Sequence, residues 1–180
     1  MDYKRRHDRV LQHIVFKFLR KHSLISTTPP WYTKIVIKPK YENKNIFVFW
    51  DIPEYTGHDD EQEEKALRPD GKIIRNDTKK IYVLEMSIPW IENREMKIDE
   101  KVQKYKSIVQ TLKVDNPSFE VMQLTFIVDC LGGYSKSFYE ALKILEFSKN
   151  EIEGICLDVQ KIVISEATNT INKFKVLTIQ

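Results

Sequence analysis

The stretch LRPDGKIIRNDTKKIYVLEMSIPW, Leu67 to Trp90, places two carboxylates, Asp70 and Glu85, in two apolar runs that flank a polar turn. A turn centred on Asp77 and Thr78 sets Asp70 directly opposite Glu85. Loops of two residues (Asp77 and Thr78) and of four (Asn76 to Lys79) give this register, whereas odd loop lengths send the acids to opposite faces. Directly opposed side chains lie roughly 4.5–5.5 Å apart at Cβ, where like charges repel. The strand around Glu85 is apolar on both faces, with Tyr82, Leu84, Met86 and Ile88 on one and Ile81 and Val83 on the other, so water cannot relieve the repulsion fully. A shared proton or a bound cation would. Mg²⁺ takes one or two protein carboxylates and fills its remaining positions with water and phosphate oxygens, which points to phosphodiester chemistry.

Such chemistry also wants a cation to orient water or to steady charge building on the phosphorane. The string KVQKY offers Lys101 and Lys104. On a helix whose apolar stripe is Ile98, Val102, Tyr105, Val109 and Leu112, Lys101 lies roughly 60° from the stripe's centre and Lys104 about twice as far out. Lys101 is expected to snorkel along the core edge toward the sheet, and Lys104 to face solvent or DNA. The plain alternatives are an ordinary turn at RPDG and a solvated lysine face.

The elements that must position these groups follow from periodicity. Val10, Leu11, Ile14, Val15, Phe18 and Leu19 predict an amphipathic helix from about Tyr3 to Lys21, stopped by STTPP. Thr33 to Ile37 and Ile46 to Trp50 read as a hairpin, and Glu54 to Lys65 as an acidic loop. Strands follow at Gly71 to Arg75 and Ile81 to Ile88. A long helix runs from PWIENREMK to about Leu112. Phe119 to Val128 reads as a central strand buried on both faces. Helices over Ser135 to Phe147 and Leu157 to Phe174 complete a mixed α/β domain with helices covering a sheet.

With 180 residues, 42% hydrophobic and 31% charged, the expectation is one domain over 1–180, a core of about 5–147 and a helical extension of about 150–180. A net charge of +3 permits a polyanionic partner without requiring one. Two cysteines, Cys130 and Cys156, support neither a disulfide framework nor a zinc cluster, and suggest a reducing intracellular compartment. No apolar run reaches the roughly 18 residues of a membrane span, so no membrane partner is expected. The string HDDE, His58 to Glu61, reads as an acidic loop, and Gly132-Gly133 lacks the spacing and lysine of a phosphate loop.

Taken together, RRHDRV on the first helix, FVFWDIP on an early strand, RPD followed by Glu85 in VLEMSIPW, KVQKY on the next helix and a strand ending in VDCLGG resemble, in order, the restriction-like endonuclease domain of site-specific non-LTR retrotransposon polyproteins, a branch of the PD-(D/E)XK nucleases. The superfamily's lysine lies two residues after the acid, where this chain has Ser87; in the retrotransposon branch it has moved to the following helix. The resemblance implies a PD-(D/E)XK core of helix, mixed sheet, helix and strand. It implies a Mg²⁺- or Mn²⁺-dependent DNA nickase that leaves a 3′-hydroxyl for target-primed reverse transcription. Partners would be target DNA, the reverse transcriptase and other domains of the same polyprotein, in the nucleus. Asp70 and Glu85 would hold the metal, with the Met86 carbonyl as a backbone ligand. Lys101 would be the catalytic cation, with Lys104 as its rival and Tyr105 packed beside it, and Arg68 would contact phosphate. His7 or Asp8, next to Arg6, would approach the metal or else cap the first helix, and Asp51 would be a supporting acid or would shape the turn. The relatives' zinc knuckle is not in this chain. The alternative is a catalytically weak or inactive nucleic-acid-binding or docking domain of the same fold.

Overall fold

A computed structural model describes residues 2–54 and 67–178. Most of the expected acidic loop, HDDE included, lies outside the described residues. The order of elements is α1 (Asp2–Lys21), β1 (Lys40–Glu42), β2 (Ile46–Trp50), β3 (Gly71–Arg75), β4 (Lys80–Ser87), a 3-10 turn (Ile91–Asn93), α2 (Arg94–Lys104), α3 (Lys106–Asp115), β5 (Glu120–Ile127), α4 (Lys136–Ile144) and α5 (Lys149–Thr178). The strands form one mixed sheet in the order β1-β2-β3-β4-β5. Neighbours from β1 to β4 are antiparallel. The pairing of β5 with β4 is parallel, because bonds from Glu120 N–H to the Lys79 carbonyl and from Val128 N–H to the Ser87 carbonyl step forward together along both strands. The chain is thus mixed α/β, as its pattern predicts. It resolves into two compact units, one of Met1–Ile35, Ser87–Glu95 and Phe126–Gln180, the other of Val36–Met86 and Met96–Thr125.

In the first unit α1 lies against α5. All six apolar residues singled out on α1 are buried, as are Ile152, Ile155, Val159, Ile162 and Val163 on α5. The first helix ends before STTPP is reached. Ser23, at φ 57°, turns the chain into the left-handed region, and bonds from Leu24 N–H to the Leu19 carbonyl and from Ser23 N–H to the Arg20 carbonyl close the last turn. The final helix begins at Lys149, eight residues before the expected Leu157. Its start is a capping box: Ser148 N–H donates to Glu151 Oε2 at 2.7 Å, and Glu151 N–H donates to Ser148 Oγ at 3.3 Å. Ser135 caps α4 with a single bond, its Oγ accepting from Phe138 N–H. Asp129 organises the VDCLGG loop, since its Oδ1 accepts from the N–H groups of Leu131 and Gly133 at 2.9 Å each.

In the second unit the hairpin forms with a different first strand. Thr33 to Ile37 is not a strand, and Val36 is 88% exposed. The strand is Lys40–Glu42, because Asn43 Oδ1 accepts from Asn45 N–H and Ile46 N–H at 2.9 Å and so folds the chain tightly, setting Glu42 opposite Phe47. The expected long helix is broken at Tyr105, with φ −105° and ψ 10°. Gln123 Nε2 donates to the Lys101 carbonyl at 2.9 Å, and the competing bond from Tyr105 N–H to that carbonyl stretches to 3.4 Å. The break shifts the apolar stripe: Val102 is exposed, whereas Ile108 joins Val83 and Tyr105 in a buried cluster flanked by Leu67, Val109 and Leu112. The strand expected to be central, β5, lies at the end of the sheet order. Its apolar run reflects burial of the side chains at Leu124, Phe126 and Ile127, which does not require a strand on each side.

A Cβ added at Gly133 would fall 2.4 Å from Asp129 Oδ2. Gly133→Ala is therefore expected to lower the unfolding free energy by about 1–3 kcal/mol. Guanidinium titration checks this, and a variant as stable as the parent would show that the loop relaxes freely.

Candidate active site

Every residue of the candidate centre except Arg6, His7 and Asp8 belongs to the second unit. The β3–β4 hairpin has the four-residue loop Asn76 to Lys79, with Arg75 opposite Lys80 and Gly71 opposite Leu84. Continuing this register sets Asp70 opposite Glu85. Side chains alternate, so Ile81, Val83 and Glu85 share a face of β4 with Asp70, Lys72 and Ile74 from β3.

Glu85 is 0% exposed. Each acid is tied to the backbone of the other strand: Asp70 N–H donates to Glu85 Oε1 at 3.2 Å, and Met86 N–H donates to Asp70 Oδ2 at 2.8 Å. The other oxygen, Glu85 Oε2, accepts from Lys101 Nζ at 2.8 Å. Burial first, and then the neighbouring charge of Asp70, pushes the Glu85 carboxyl up from the usual 4.5 to about 7, and the Lys101 ammonium opposes them without cancelling them. With both acids ionised, two carboxylates would face the single ammonium of Lys101.

Lys101, on the last turn of α2, is 17% exposed at its side chain, with Nζ 5.8 Å from the centre of the Tyr105 ring. It snorkels along the core edge, as its angular position predicts. Lys104 is exposed and rests 4.8 Å over the same ring. Tyr105 is buried, and its hydroxyl donates to the Arg68 carbonyl at 3.1 Å, tying the helix break to the segment before β3. Its phenol is held well above its ordinary pKa by burial and then by the Glu85 charge. The side chain of Arg68 is 58% exposed, with Nε 3.7 Å from Asp51 Oδ1. Asp51 follows β2 at φ 49° and donates its N–H to the Asp70 carbonyl at 3.1 Å, so it both shapes the turn and adjoins the acid pair.

In the first unit, His7 Nδ1 and Asp8 Oδ1 lie 3.0 Å apart, and Arg6 is partly buried. Two residues escaped sequence reasoning. Gln123, which holds the Lys101 carbonyl, comes from a distant strand and carries no local signal. Glu166 is buried on α5 and receives Arg5 and Arg9; a lone acid among Ile162, Val163 and Ala167 was the available sign.

The donor set suits a hard cation. Two carboxylates oppose each other, and because the N–H and C=O of an extended residue point to the same edge, Met86 turns its carbonyl toward Asp70 as well. Among the described residues no group of three or more His, Cys, Asp or Glu side chains converges. Two carboxylates and a carbonyl are hard oxygen donors of the kind Mg²⁺ and Mn²⁺ accept, with water completing their shells.

No family model matches the chain, and no curated protein matches it. Among solved structures, an N-terminal domain of a reptarenavirus L protein is similar over 56% of this chain and 57% of that one, at 19% identity and a TM-score of 0.31. The chain thus spans little more than half the length of that structure.

Glu85 binds its proton more tightly folded than unfolded, so between pH 4.5 and about 7 the folded state holds the extra proton and loses stability as pH rises. The loss amounts to about 3 kcal/mol and is complete above the folded value. Glu85→Gln lacks this term. Urea titrations from pH 5 to 8 should show the parent losing stability relative to the variant by roughly that amount, and parallel profiles would disprove the raised carboxyl.

Proposed function

We propose that the chain is a divalent-metal-dependent DNA endonuclease of the PD-(D/E)XK type, a nickase working within a retroelement polyprotein in the nucleus. The observation that carries this reading is the junction of Asp70, Glu85 and Lys101, in which a buried carboxylate meets an opposed carboxylate and an ammonium from the next helix. Ser87 occupies the superfamily's lysine position and is buried, while Lys101 reaches the same acid from α2. That substitution of position supports the retrotransposon branch in particular.

Asp70, Glu85 and the Met86 carbonyl would hold the ion. An ion held by these residues would supply positive charge to the reacting phosphate and help a water lose its proton. The reaction adds a water oxygen to phosphorus and breaks the bond from phosphorus to O3′; the water loses a proton, and the departing O3′ gains one. Lys101 Nζ donates hydrogen bonds and stands ready to orient the attacking water or a non-bridging oxygen. Arg68 offers an exposed guanidinium to a neighbouring phosphate, and the bond from Tyr105 to its carbonyl keeps that segment in place. Lys104 lies outside the acid pair and suits backbone contact.

Asp70→Asn is the cleanest test, because the amide oxygen can still accept from Met86 N–H. The parent should convert supercoiled plasmid to open circles in Mg²⁺ or Mn²⁺ and not in EDTA, and the variant should lose about 100-fold or more in rate while still binding DNA. A parent that binds DNA and never nicks it would establish the binding module in place of the nuclease, and a parent that does neither would favour a docking role.

In the same assay Lys101→Ala should lower the single-turnover rate by about 10²-fold or more with DNA affinity little changed. Lys104→Ala should chiefly weaken binding, with a shallower salt dependence. The reverse pattern would exchange the two roles.

A further inference from the structure

The nuclease reading draws on the second unit and leaves the first-helix string RRHDRV without a task. In the first unit this string helps to build a cavity of about 690 Å³ between α1, α5 and the segment at Lys34 and Ile35. Lys4, Asp8 and Gln12 form one row along α1 at four-residue spacing, and Arg5 and Arg9 form the next, so all five face the cavity.

Glu166 of α5 is the buried centre of this wall, with 2% of its surface exposed. Arg5 Nε donates to Glu166 Oε2 at 2.6 Å, Arg9 Nη1 donates to Oε1, and Arg9 Nη2 donates to the Trp31 carbonyl at 2.8 Å. Lys4 and Lys34 add two charges and form no ion pair among the described residues. Among the described lining residues Asp8 is the only acid besides Glu166, and it lies against His7. Among the described lining residues the two lysines thus add positive charge to a concave wall, which focuses a positive potential into the cavity and favours an anion there.

The cavity's size bears on which anion. It falls in the range of about 300–1,000 Å³ typical of small-organic-ligand sites, and inorganic phosphate would leave most of it empty. The carboxamides of Gln12 and Asn169 offer donors and acceptors, and Ile35 offers an apolar surface, to whatever the phosphate carries. We propose that this cavity binds an organic phosphate of nucleotide size, its phosphate met by Lys4 and Lys34 and its organic part by Ile35 and the two carboxamides. A free nucleotide and the 5′-phosphorylated end of a nucleic-acid strand present the same chemistry. The proposal is independent of the metal centre.

The test is calorimetric titration of the full chain in EDTA at about 50 mM salt, where screening is modest, with AMP, inorganic phosphate, and a thymidine tetranucleotide with and without a 5′-phosphate. AMP or the phosphorylated tetranucleotide should bind saturably and more tightly than inorganic phosphate, and whichever binds tighter identifies the source. Lys4→Glu and Lys34→Glu, both at exposed positions, should each weaken that binding by about tenfold or more while the melting temperature of the unliganded chain stays the same. The proposal is overturned if neither organic ligand binds, if inorganic phosphate binds as tightly as they do, or if both substitutions leave affinity unchanged.

Discussion

A carboxylate with no exposed surface, opposed by a second one, is the constraint around which the second unit is arranged. Removing an ionised carboxylate from water costs several kcal/mol unless hydrogen bonds and opposite charge replace the lost hydration. Glu85 obtains an N–H from β3 and an ammonium from α2, and it still retains its proton to about pH 7. Each source of relief depends on a separate feature of the fold. The N–H depends on the hairpin register, and the ammonium depends on α2 presenting Lys101 at its last turn.

The two units treat a buried glutamate in opposite ways. Glu85 has one cation and a second acid beside it, so that ionising both acids would leave one negative charge unmatched. Glu166 has two guanidiniums and lies in a wall that holds two further lysines, leaving an excess of positive charge. Buried ion pairs contribute little net stability. The two ligands proposed above, a metal ion and an organic phosphate, would be of opposite sign.

The register of Asp70 against Glu85 was legible because side-chain alternation and even loop length leave few alternatives, and the angular position of Lys101 was legible because helices have a fixed period. The β1 strand was misplaced because Ile35, Val36 and Ile37 imitate a strand, whereas the side chain of Asn43 decides where the hairpin closes. The start of α5 was readable in principle, since SKNE carries the Ser and Glu of a capping box. The interruption at Tyr105 was not readable, because it depends on Gln123 of β5 reaching back to a carbonyl, and nothing local such as proline or glycine marks it. The burial of β5 was apparent from its apolar run, but its place in the strand order depends on hydrogen-bond partners that composition does not specify.

Lys101 is anchored at both extremities, with its carbonyl engaged by Gln123 and its ammonium by Glu85. A lysine free in solvent surrenders up to about 2 kcal/mol of rotamer entropy when it is immobilised. Here that cost has already been met during folding, so in the proposed reaction an incoming oxyanion would encounter a charge whose position is settled beforehand and need not restrain a wandering chain.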